Sequence, residues 1–138
     1  MIALDTNVIA RFYIDDASDP QAALQRPAAR RLFKESTALF VPLTVVLELE
    51  WVMRAFYDFT PVQFGKVVEH LAGLPHVTLD DAPIVLSALQ DHVAGLDFAD
   101  ALHLRKSAFC EAIASFDDRK FARRASRLRL EPKVIVPD

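Results

Sequence analysis

A chain of 138 residues with 52% apolar content can bury one core, so it reads as a single domain over residues 1–138 with no stretch of disordered composition. Cys110 is the only cysteine, which excludes an internal disulfide, and its apolar surroundings predict a small core residue inside a helix. No uncharged apolar run approaches the ~20 residues of a membrane helix and the start lacks signal-peptide character, so a cytoplasmic protein without membrane contact is expected.

In chain order, Ile2 to Asp5 reads as a first strand that delivers a carboxylate where it stops, and Thr6 to about Tyr13 as a helix with Val8, Ile9 and Phe12 on one face. Asp15 to Asp19 is a loop. Asp19 caps a helix opening at Pro20 and running to about Lys34, with Pro27 kinking or dividing it. Leu39 to Val41 is a second strand, ended by Pro42. Apolar positions wrap much of the next helix, Leu43 to about Tyr57, which predicts a largely buried element with Glu48 interrupting its buried face and Glu50 as a solvated acid.

Thr60 and Pro61 open a helix over Val62 to Leu74, and Val77 to Leu79 is the third strand. Asp80 or Asp81 caps a helix stopped by Gly95, and another covers Phe98 to about Phe109. Ala112 to Phe116 is the fourth strand, Arg119 to about Leu128 is helical, and Lys133 to Val136 is the fifth strand. Short apolar strands alternating with helices predict an α/β fold, a parallel sheet covered on both faces.

Asp5 and Asp117 each end an apolar strand, and ligands of open α/β sheets bind beyond the carboxyl ends of the strands. Glu48 and Asp100 lie in apolar helical settings, with Asp97 one turn before Asp100. Carboxylates in such places need a cation, and an all-oxygen set suits Mg²⁺ or Mn²⁺. Zinc is disfavoured, because His70, His76, His92 and His103 show no two-histidine metal spacing. The bland readings are a helix cap for Asp5 with Thr6 and for Asp97, a structural role for His103, and a strand-end hydroxyl for Ser115.

The net charge of −3 and a pI near 5.8 give no bulk sign of a nucleic-acid binder, yet Arg119 to Lys133 is locally basic. With glycine only at 65, 73 and 95, phosphate-cradling loops and a glycine-flanked nucleophilic serine are excluded. A phosphatase built on a strand-end aspartate pair needs a second acid where Asn7 stands.

The segments Ala3-Leu4-Asp5-Thr6-Asn7, Val46-Leu47-Glu48-Leu49-Glu50-Trp51-Val52, Asp97-Phe98-Ala99-Asp100-Ala101-Leu102 and Ser115-Phe116-Asp117, in this order and across nearly the whole chain, resemble the PIN domain, in particular the VapC ribonuclease toxins of toxin–antitoxin pairs. The resemblance implies a three-layer α/β/α sandwich around a central parallel sheet of about five short strands. It also implies a metal site of Asp5, Glu48, Asp100 and Asp117, with Thr6, Ser115 and Asp97 in support; Glu50 competes with Glu48, and Asp118 with Asp117. Further implications are Mg²⁺ or Mn²⁺ as cofactor, endonucleolytic cutting of RNA, a small cognate antitoxin and a homodimer. Arg119, Lys120, Arg123 and Arg124, expected to stack one turn apart, become candidates for holding the RNA backbone. An apolar groove among Phe12, Leu32, Phe33 and Trp51 to Met53 is expected to seat the antitoxin. The rival reading is a non-catalytic RNA- or protein-binding module of the same fold.

Overall fold

A computed structural model describes all 138 residues, and the chain is α/β. It forms two compact units, Met1–Ala82 and Pro83–Asp138.

The first unit carries a three-stranded parallel sheet in the order β1 (Ile2–Ala3), β2 (Leu39–Val41), β3 (Val77–Leu79). Ile2 pairs with Leu39, and Leu39 in turn with Val77. Strand β1 is shorter than the apolar run suggests. Leu4 still donates to the Phe40 carbonyl at 2.9 Å, but Asp5 leaves the ladder to cap α1 (Thr6–Tyr13), its Oδ1 accepting from the Thr6 amide at 2.8 Å.

Helix α2 (Pro20–Glu35) starts as expected, with Asp19 accepting from the Gln21 amide at 3.0 Å, and runs undivided through Pro27. Helix α3 (Leu43–Tyr57) is less buried than its composition suggests: only Val46, Leu49, Glu50 and Met53 are fully covered, one stripe at i, i+3, i+4 and i+7. Trp51 lies off that stripe and is 51% exposed. Glu48, read as interrupting the buried face, is exposed, whereas Glu50, read as solvated, is buried and accepts from Arg54 Nε at 2.9 Å. Both reversals follow from helical phase, since Glu50 falls on the stripe and Glu48 beside it.

Pro42 offers α3 no side-chain cap, and Asp80 Oδ2 supplies one by accepting from the Leu43 amide at 3.1 Å. Asp80 therefore serves α3 rather than the helix that follows it in sequence. Helix α4 (Pro61–Gly73) opens with a reciprocal box between Thr60 and Gln63.

In the second unit, α5 (Ala82–Val93) is followed by Gly95 at φ 121°, a conformation costly to any side chain but hydrogen. Helix α6 (Phe98–Lys106) stops three residues short of the expected end, because Ser107 closes it and a turn follows. Cys110 is consequently exposed and outside any helix, a correction to its reading as core. Strands β4 (Ala112–Ala114) and β5 (Lys133–Ile135) pair in parallel. Between them a π-helical turn (Asp118–Ala122) leads into α7 (Arg123–Arg127).

A buried ion pair joins α5 to α6. Asp91, 5% exposed, accepts from Arg105 Nε and Nη2, both at 2.7 Å. Removing the cation strands a buried carboxylate, whereas removing the acid leaves an arginine that reaches water. Arg105→Met should therefore cost about 3 kcal/mol, the lower end of the range for a broken buried pair because Arg105 is partly exposed, and Asp91→Asn distinctly less. Urea denaturation of both variants checks the order, and equal losses would contradict it.

Candidate functional site

In the first unit, the end of β1 and the outer face of α3 meet. The hydroxyl of Thr6, itself buried, donates a hydrogen bond to Glu48 Oε1 across 42 residues of sequence, while Thr6's own amide is held by Asp5. Two acids expected to cooperate are thus joined through one residue, Asp5 by the Thr6 amide and Glu48 by the Thr6 hydroxyl, and both are exposed. They line a cleft of about 350 Å³ with Val52, Phe56 and Tyr57 of α3. Asn7 and Arg11 of α1 and Asp19 complete the polar part of its lining.

Sequence reasoning missed these further cleft residues. Their signal was present as i, i+4 repeats, Asn7 with Arg11 and Glu48 with Val52 and Phe56, each continuing one face from a site acid.

In the second unit, Asp97 caps α6 by accepting from the Asp100 amide at 3.4 Å. The Asp100 carboxyl is half-buried and held above the ordinary carboxylate range, first by burial, then by the neighbouring Asp97 charge and more weakly by Asp117. His103 and Arg124 pull it the other way. Ser115 Oγ accepts from the Asp117 amide at 3.1 Å, and Asp117 Oδ1 accepts from Lys120 and Phe121 amides at 2.9 and 3.4 Å. Ser115 thus fixes the backbone that carries Asp117, whose carboxylate opens the π turn. Asp118 pairs with Arg123 at 2.9 Å.

The π turn also alters the basic segment. Its five-residue hydrogen-bond spacing brings Arg123 onto Asp118, so the one-turn stacking expected of 119 with 123 and 120 with 124 is not the registry formed. Arg124 Nη1 donates to the Gly95 carbonyl at 3.3 Å. Arg119 and Lys120 are exposed at the start of the turn.

No group of three or more His, Cys, Asp or Glu side chains is drawn together tightly enough to hold an ion by itself. The available donors are carboxylate and hydroxyl oxygens, the chemistry of a hard cation. Mg²⁺ commonly uses one or two protein carboxylates, with water and substrate phosphate filling the remaining positions. On donor type and number the residues fit such an ion.

The early-helix groove differs from expectation. Phe33 and Met53 are core residues, with Phe12 stacked on Phe33 at 4.0 Å, and the cleft between α1 and α2 is lined by Val8, Gln25, Ala28, Ala29 and Leu32. No helix is long and apolar enough to cross a membrane. Comparison with protein-family models and with curated proteins gives no match to this chain.

Because Asp100 is protonated more readily in the folded than in the unfolded chain, its ionised form costs stability at neutral pH, and that cost fades as pH falls through the raised folded value. Asp100→Asn should raise the melting temperature at pH 7 in chelator, with the gap over wild type closing toward acidic pH. Melting curves across pH test this, and a gap independent of pH would remove Asp100's charge as the cause.

Proposed function

We propose that the protein is a metal-dependent endoribonuclease of PIN type, the toxin of a toxin–antitoxin pair, in which Asp5, Glu48, Asp100 and Asp117 act as one site. The observation that best supports this is the Thr6 hydroxyl bond to Glu48, which draws two motif acids from distant sequence into a single cleft. The raised carboxyl of Asp100 beside Asp97 and Asp117 supports it too, since crowded acids are what a cation relieves. The PIN reading carries with it a three-layer α/β/α sandwich around a central parallel sheet of about five short strands.

Asp5, Glu48, Asp100 and Asp117 would hold Mg²⁺ or Mn²⁺. When bound, the ion supplies an activated water and neutralises charge on a phosphodiester. Thr6 orients Glu48 and leaves one carboxylate oxygen of Glu48 for a ligand; Ser115 and the amides of the π turn fix Asp117. Arg119 and Lys120 offset the repulsion between an acidic site and a polyanion. A cytoplasmic location, a homodimer and a small antitoxin seated along α1 and α2, where Leu32 and Val8 line a cleft, complete the reading. The non-catalytic module is favoured only by the absence of a tight three-acid group.

Sequencing RNA ends after incubation with and without Mn²⁺ decides between the two. Asp5→Asn, Glu48→Gln, Asp100→Asn and Asp117→Asn should each lower cleavage by roughly a hundredfold or more while leaving the fold intact. Wild-type cutting by Asp100→Asn would refute the assignment.

The basic turn has its own test. In an Asp100→Asn background, replacing Arg119 and Lys120 by Gln should weaken binding of unrelated RNAs equally and flatten the slope of log affinity against log salt by roughly 0.7 per lost contact. An unaltered slope would leave the turn as a solvated surface.

A further inference from the structure

The cleft beside Asp5 and Glu48 is larger than two carboxylates need, and its other residues match a particular ligand chemistry. Phe56 presents an aromatic ring that is 67% exposed, held upright by Trp51 in an edge-to-face contact at 5.5 Å and 88°. Tyr57 adds a second ring, and because its hydroxyl donates to Asp16 Oδ2 at 2.9 Å, what remains to a ligand is largely the ring. Flat aromatic surface open to solvent is what a nucleobase stacks on, with no demand on sequence.

The polar part of the lining is more selective. Arg11 Nε donates to Gln25 Oε1 at 3.1 Å, which sets the plane of its guanidinium, and one of its terminal nitrogens lies 3.7 Å from Asp19 Oδ2. Asp19 Oδ1 is occupied as the cap of α2, so Oδ2 is the oxygen turned toward Arg11. A guanidinium and a carboxylate therefore stand side by side at the edge of the cleft as a loose ion pair, with the guanidinium also bonded to the Tyr57 hydroxyl. Guanine is the base that offers two adjacent acceptors, O6 and N7, to a guanidinium and, next to O6, the N1–H donor to the one carboxylate oxygen that the cap leaves over. A phosphate in the same place would meet the charges of Asp5, Glu48 and Asp19, whereas a neutral base would not.

We propose that this cleft is a specificity subsite for one unpaired guanine of a single-stranded RNA, recognised by Arg11 and Asp19 and stacked against Phe56. The proposal rests on the ribonuclease reading for its position, since a base so held would place an adjoining phosphodiester at Asp5 and Glu48.

Titrating GMP, AMP, CMP and UMP into isotopically labelled protein with Mg²⁺ tests the subsite without any cleavage, because mononucleotides contain no phosphodiester link between residues. GMP should bind about tenfold tighter than the other three and shift the amide resonances of Asn7, Arg11 and Tyr57. Phe56→Ala should weaken GMP about tenfold. Asp19→Ser, which keeps a capping hydroxyl but removes the carboxylate, should abolish the preference for GMP. Equal binding of the four nucleotides, shifts confined to other surfaces, or tighter binding of arginine amide than of GMP would overturn the proposal, the last making the cleft a seat for a basic peptide. Selective GMP binding by a protein that cuts no RNA would uphold the subsite and refute the nuclease reading, and cutting without GMP selectivity would do the reverse.

Discussion

The candidate chemistry of the first unit depends on the point where β1 gives way to α1. An aspartate that remained in the ladder would alternate with its neighbours and have no special claim on the sheet's edge. Asp5 instead leaves after Leu4 has made its last strand bond, and one carboxylate oxygen goes to the first amide of the helix. That capping bond fixes Thr6 as the first helical residue, and from there the Thr6 hydroxyl reaches Glu48. Capping, strand termination and the meeting of two acids are consequences of one local geometry, so changing the cap disturbs all three.

The same economy recurs in the second unit. Ser115 still donates its amide to Ile135 at 2.9 Å, as the last rung beyond β4, while its hydroxyl accepts from Asp117 two residues later. Asp117 then caps the π turn as Asp5 caps α1. In both places the cap reading and the ligand reading, which competed in the sequence, are compatible. Each cap bond engages Oδ1, leaving a second oxygen on the carboxylate.

Much of the fold was legible because local signals agreed with one another. Pro20 after Asp19, Pro61 after Thr60 and Gly95 after α5 each act through backbone chemistry that needs no tertiary context, and those boundaries fall where the residues put them. What could not be read depended on helical phase and on partners distant in sequence. The apolar content of α3 is high on all sides, so composition could not say that Glu50 is covered and Glu48 is not. Asp80 lies where a cap for α5 is needed but caps α3, 37 residues earlier, because Pro42 left that helix end unserved. The Asp91 and Arg105 pair is 14 residues apart on different helices and carries no motif.

An apolar stretch of sequence does not by itself mark a carboxylate that needs a metal: the acids that are most buried, Glu50 and Asp91, have arginine partners, whereas Asp5, Glu48 and Asp117 are exposed. Burial therefore separates the structural acids from the candidate ligands in the opposite sense from the sequence argument. The proposed metal site would require this: an ion that admits a phosphodiester needs open coordination positions, which a carboxylate sealed against arginine cannot offer. Asp100 lies between these classes, half-buried and with its carboxyl raised by that burial and by Asp97. Its surroundings resist a bare negative charge, and in the proposed site a cation would relieve that.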